Sequence, residues 1–211
     1  ASSVFAALNS AAKFANILGK EEAARTYSAV AQRIQTAILE HLYDENLNMF
    51  IKQIRAYDDK DDVRDMTVDM SSFFGPVYFG VVEPHDVRVR KALQTVEDRL
   101  RVDSKTTGYM RYEGDTYYTL QETGTPNPWV ITTLWMAQYH IMAAESLAGL
   151  EEVYKILEWT CAHATKSGVL AEQMHPHTGE HLSTAPLTWS HAEYVTTVDE
   201  YLKKHAELSE E

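Results

Sequence analysis

A single cysteine in 211 residues, Cys161, leaves no internal disulfide and no cysteine-built metal site. A reducing, cytoplasmic compartment suits that usage. Cations are also scarce: 19 Lys+Arg face 31 Asp+Glu, and the formal net charge of −12 opposes phosphate backbones and anionic membrane surfaces. Neither nucleic acid nor a membrane is an expected partner, and a neutral or cationic ligand is favoured. No apolar run approaches the roughly 20 residues of a membrane span, and the N-terminus lacks the basic, apolar, small-residue order of a signal peptide. It opens inside a helical pattern, "ASSVFAALNSAAKFANIL", so we expect a missing lead-in, and a signal ahead of it stays open. Without a Gly-rich phosphate loop, a nucleophile elbow or a Cys/His pair, phosphoryl and acyl transfer lose their usual carriers. What remains is an ordinary globular composition, 45% apolar and 24% charged. A chain of this length fits one domain, 1–211, able to bury roughly 70% of the surface its unfolded form exposes.

Apolar periodicity predicts seven helices: about Ser3–Leu18, Glu21–Leu42, Met66–Phe79, Val87–Arg101, Pro128–Leu147, Glu151–Thr165 and Thr188–Lys204. The first, third and fifth are apolar nearly all round. The second, fourth and sixth are amphipathic, as in Ala24, Ala31, Ile34, Ile38 and Leu42 opposite Glu22, Arg25, Gln32 and Arg33. Connections alternate too, with short turns near Gly19, Gly80 and Gly149 and long loops over 43–65, 102–127 and 167–187. If successive helices are antiparallel, the long loops emerge at one end, where rigid helices can hold functional groups. The expected fold is therefore all-α, a toroid of inner apolar and outer amphipathic helices. An odd count beginning with an inner helix predicts an open ring, with inner-helix residues such as Val4, Phe5, Leu8 and Phe14 left without partners and driving self-association.

Two loops carry chemistry. The stretch "GYMRYEGDTYYTLQETGTPNPW" gathers Arg111, Tyr112, Asp115, Tyr117, Tyr118 and Trp129. Aromatic rings offer flat apolar faces to the C–H side of a sugar, and Arg and Asp bind hydroxyls through charge-assisted hydrogen bonds. The competing structural reading has the tyrosines closing a barrel end and Arg111 pairing with Glu113 or Asp115. The stretch "SGVLAEQMHPHTGEHLSTAPLTWSHAEY" sets Glu172 after a short apolar run and Trp189 at the start of the last helix. A half-buried carboxylate there could accept a proton from water; a Glu in a loop is more often simply solvated. His175, His177 and His181 lack acidic or Cys partners at ligand spacing and read as a polar loop. The acidic run "DDKDDVRD" at 58–65 lacks the glycine and closing glutamate of a calcium loop and reads as solvated. Trp135, Met136, Ile141 and Met142 read as core.

Together, "RYEGDTYY", "NPWVITTLWMAQYHI", "GVLAEQ" with "TGEHLS", and "PLTWSHAEY" resemble, in order and spacing, glycoside hydrolase family 15, the glucoamylases with their glucodextranase and trehalase relatives. The resemblance spans essentially the whole chain and implies an (α/α)6 barrel of which these would be about the last seven of twelve helices. It implies inverting hydrolysis of terminal α-glucosidic bonds in α-glucans or maltooligosaccharides, with trehalose hydrolysis as the nearest alternative. A non-catalytic helical module that binds sugar or protein is the alternative outside enzymes. Glu172 resembles the general base, Arg111 the arginine that holds glucose hydroxyls, and Trp129 and Trp189 sugar-packing aromatics. Tyr112 and Asp115 would support Arg111, and Gln173 flanks the base. No metal or organic cofactor is implied. The family's general acid, which would stand roughly 6.5–9.5 Å from the base, lies in a Trp-Glu motif ahead of the first helix here, and no such motif is present. The chain alone is therefore expected to be inert.

Overall fold

The computed structural model describes residues 1–55, 62–120 and 124–210, within which seven α-helices occur. The backbone falls into two compact units, Ala1–Thr95 and Val96–Glu211.

In the first unit, α1 (Ser2–Ile17) and α2 (Glu21–Ala37) pack together across a tight turn at Gly19, whose φ of +68° favours the residue without a Cβ. Ala12, Ala15, Ala24 and Ala31 are their buried residues along with Phe5; small side chains let the two backbones approach closely. Phe5 thus departs from the expectation of an open apolar face, because it turns into this unit's own core. Val4, Phe14, Ile17 and Leu18 do stay exposed, Phe14 at 62% and Ile17 at 80%. The predicted second helix runs on as a π-helical turn, Ile38–Leu42, before two short hairpins: β1 (Tyr43–Asp44) with β2 (Met49–Phe50), and β3 (Gln53–Arg55) with β4 (Val63–Asp65). The described end of the acidic run is therefore a strand and not a loop, because Val63–Asp65 pair with Gln53–Arg55; positions 58–61 of that run lie outside the described residues.

Helix α3 (Met70–Tyr78) starts four residues later than its apolar pattern suggests. Asp69 accepts from the Ser71 N–H at 2.9 Å and its hydroxyl at 2.6 Å, capping the orphan amides there. Lys52 lies 3.1 Å from the second oxygen of the same carboxylate. Helix α4 (Val87–Arg99) carries the chain into the second unit.

There α5 (Val130–Ala143) is the central helix, buried from Val130 to Leu134 and again from Met136 to Tyr139, with α6 (Glu151–Ala162) and α7 (Thr188–Ser209) packed on it. Met136 and Ile141 are core as expected; Trp135 and Met142 are only half-buried. In α7 only Ser190 and Thr197 are buried, so the apolar/amphipathic alternation stops short of this helix. No helix among the described residues is long and apolar enough to cross a membrane.

Candidate functional site

All seven residues singled out in the sequence belong to the second unit. What collects them is a narrow ladder of antiparallel bridges running across segments far apart in the chain: Arg101 to Tyr109, Tyr109 to Trp129, and Trp129 to Gln173. Gln173 then pairs with Leu182 in the hairpin of β5 (Gln173–Met174) and β6 (His181–Leu182). Its hydrogen bonds run from Trp129 N–H to Tyr109 C=O at 2.9 Å, Val130 N–H to Glu172 C=O at 3.1 Å, and Met174 N–H to Pro128 C=O at 3.0 Å. The ladder needs close backbone approach at Gly108, where φ is +108° and a Cβ would stand 2.8 Å from that of Pro128. Each rung is too short to show as a strand in sequence, yet together they bring the backbones at Tyr109, Trp129, Gln173 and Leu182 side by side.

Arg111 lies against aromatic faces. Its guanidinium carbon is 4.5 Å from the Trp129 ring centroid, 4.8 Å from that of Tyr112 and 6.0 Å from that of Tyr117. Tyr117 stacks on Trp129 with centroids 6.0 Å apart. Of the two carboxylates offered as ion-pair partners, Asp115 takes the role: its Oδ2 is 3.8 Å from Arg111 Nε, whereas Glu113 pairs with Arg99 at 3.4 Å. The Asp115 side chain is 3% exposed against 39% for Arg111. The separation is within Coulombic reach and beyond hydrogen-bonding range, and both atoms are buried without a hydrogen-bond partner. The other Asp115 oxygen accepts from the Tyr117 N–H at 3.0 Å.

Glu172 is half-buried at the head of β5, opposite Ser183, whose hydroxyl donates to its Oε2. The Glu172 N–H donates to Thr184 C=O at 2.9 Å, so its backbone is tied on both sides. Ser183 has φ +62° and Tyr118 φ +58°, a region that residues other than glycine seldom adopt and that concentrates at functional sites. On the other face of the same strand the fully buried Gln173 accepts from Asn127 Nδ2 at 2.7 Å, and that amide also donates to Tyr118 C=O at 3.0 Å. Gln173 Nε2 and Asn127 Oδ1 are left buried with no partner. Trp189 begins α7 on the far side of the loop. It is held near the strand because Ser190 Oγ donates to Ala171 C=O at 2.7 Å and Leu187 N–H to Leu170 C=O at 3.1 Å.

A family model, glycosyl hydrolases family 15, matches residues 2–199. The chain belongs to that family. An uncharacterised glycosyl hydrolase of Methanocaldococcus jannaschii is 25% identical over 206 residues, 93% of this chain and 31% of that protein. A trehalase of Mycobacterium tuberculosis is 25% identical over 201 residues, 95% and 27% respectively. The chain thus spans less than a third of the length of these curated relatives. Among solved structures, a bacterial glucoamylase complexed with acarbose superposes with a TM-score of 0.81 at 23% identity, over 96% of this chain and 33% of that one. This likeness gives the fold: the seven helices are part of an (α/α)6 toroid, the architecture expected from their alternation.

Within this family 15 chain, Arg111, Tyr112, Asp115 and Trp129 form one contact group, the ladder pairs Trp129 with Gln173 next to Glu172, and Trp189 is tied to the same strand through the α7 start. The histidines of the last loop serve its shape. His175 Nδ1 accepts from the N–H groups of His177 and Thr178 at 3.1 Å, and His181 Nε2 hydrogen-bonds to His163 C=O at 2.7 Å. Three residues that sequence reasoning passed over are Ser183, Asn127 and Glu193. All three lie inside motifs quoted for the family, Ser183 in "TGEHLS", Asn127 at the head of "NPW" and Glu193 in "PLTWSHAEY", so membership of a motif was the available signal. Glu193 sits one helical turn after Trp189, and that i,i+4 spacing was the clue.

Proposed function

We propose that this chain carries the general-base half of an inverting glycoside hydrolase acting on terminal α-glucosidic bonds. The observation that supports the reading is the ladder, which pairs Trp129, with Arg111 over its ring, to Gln173 next to a half-buried, hydroxyl-bonded Glu172. Four buried polar atoms at the site lack partners: Arg111 Nε, Asp115 Oδ2, Asn127 Oδ1 and Gln173 Nε2. These atoms are buried and lie out of a ligand's reach, and each one left unmet costs about 1–3 kcal/mol. Glu172 would take the proton of the attacking water, and Arg111, supported by Asp115 and Tyr112, would hold hydroxyls of a terminal glucose. Trp129, expected to pack on sugar, is 2% exposed and covered by Arg111 and Tyr117, so that role would fall to the exposed faces of Trp189 and Tyr117. A general acid must come from outside these residues, since none of the four tryptophans is followed by a glutamate. In this reading 1–211 is a portion of one catalytic domain.

Proton NMR that resolves glucose anomers tests this directly. The chain mixed with maltotriose or trehalose is expected to release no glucose, and a form extended N-terminally to the length of its relatives is expected to release β-glucose. Initial release of α-glucose from maltotriose would overturn inversion; β-glucose from the short chain would overturn the half-site. A preference for maltotriose supports the glucoamylase type, a preference for trehalose the trehalase type. The exposed Val4, Phe14, Ile17 and Leu18 of α1 support a further expectation, self-association of the 211-residue chain. Sedimentation velocity should show concentration-dependent assembly, and a single monomeric boundary would remove that expectation.

A further inference from the structure

Trp189 is 49% exposed, yet its ring is held at two edges. One neighbour is Trp135 of α5, edge-to-face with centroids 5.8 Å apart. The other is Glu193, one turn along α7, whose Oε1 accepts from the indole Nε1–H at 3.0 Å. An indole that lies on the surface ordinarily finds water for its N–H and keeps its side-chain freedom; this one is bonded to a carboxylate. The carboxylate is itself anchored. Its Oε2 accepts from Gln138 Nε2 at 2.8 Å, and Gln138, 1% exposed in the core of α5, bonds also to Thr197 Oγ1 at 3.0 Å. Thr197 closes the circuit by donating to the Glu193 backbone carbonyl at 2.7 Å. A buried glutamine on the central helix is costly unless matched, and here its amide N–H groups are matched by the two α7 groups that fix the position of the indole.

We infer that Glu193 is a positioning residue: relayed from Gln138, it locks the Trp189 ring as a flat platform for a sugar ring beside Glu172. The inference rests on the reading of Trp189 as a sugar-packing aromatic. A ring ordered in advance loses less side-chain entropy when ligand docks, and the benefit appears as affinity. The electron-rich carboxylate at the N–H edge also keeps the indole N–H from turning toward the ligand, so the platform presents only its apolar face.

The test uses the 211-residue chain with Glu193→Ala, Glu193→Leu to keep volume should the alanine variant fail to fold, and Glu193→Gln. Gln retains an acceptor for the indole, and its amide can be met by Gln138 Oε1, which has no partner now. Acrylamide quenching of Trp189, taken as the difference from Trp189→Phe, reads ring mobility without any sugar; maltotriose titration by tryptophan fluorescence reads the platform. Ala or Leu should raise quenching and weaken maltotriose roughly tenfold, the loss of one charge-assisted hydrogen bond, with Gln close to wild type. Adding Trp189→Phe to Glu193→Ala should cost no more than Trp189→Phe alone, as expected of residues acting as one unit. Unchanged quenching, or unchanged titration in Glu193→Ala where Trp189→Phe weakens binding, overturns the inference. A wild type blind to maltotriose, or Trp189→Phe titrating as wild type, instead overturns the platform reading beneath it.

Discussion

Replacing Glu172 by Gln in the N-terminally extended protein should lower kcat on maltotriose by roughly 10² to 10⁴, the usual contribution of a positioned base. KM should stay within a few-fold. Gln fills the same volume and can still accept the Ser183 hydroxyl, so the strand and its neighbours keep their arrangement while the proton acceptor is gone. Anomer-resolved NMR for rate and fluorescence titration for binding separate the two quantities. A rate unaffected by the change ends the assignment of Glu172 as base, and a parallel loss of binding would make it a substrate ligand instead.

Replacing Arg111 by Ala should have the largest effect on stability. It removes the one cation paired with Asp115 among the described residues; that carboxylate is 3% exposed and its Oδ2 has no hydrogen-bond partner. Stranding one member of a buried pair typically costs about 3–5 kcal/mol. Here the lower end applies, because Arg111 is 39% exposed and, at 3.8 Å, the pair lacks a hydrogen bond. The guanidinium also covers the faces of Trp129 and Tyr112, so sugar binding should fall with it. Urea unfolding of Arg111→Ala beside Arg111→Ala/Asp115→Asn decides the cause. If the double variant recovers most of the loss, the stranded carboxylate was responsible; if it recovers none, the lost packing was.

The helices were readable because each repeats its apolar spacing over several turns, and α1, α2, α4, α6 and α7 begin within a residue of where the periodicity puts them. Helix α3 is shifted at its start because a capping interaction, Asp69 to Ser71, overrides an apolar pattern that begins at Met66. The hairpins escaped notice since two-residue strands such as Gln173–Met174 cannot display a two-residue period. Among the candidate site residues, residue type and motif single out Arg111, Glu172 and Trp189. Ser183 was not, because its role depends on a left-handed backbone and a cross-strand register that no residue type announces. Gln138 illustrates the opposite case. On an apolar helix it reads as one polar residue among core neighbours, and only the structure reveals that its amide reaches Glu193 and Thr197.

The transverse ladder through Tyr109, Trp129, Gln173 and Leu182 separates two jobs that loops usually combine. Its rungs clamp the ends of the last loop at fixed stations, so the span between Met174 and His181 can lengthen, shorten or be exchanged without shifting Glu172 against Trp129. A span interchangeable in this way would leave the backbone beside Glu172 fixed while what overhangs it changes.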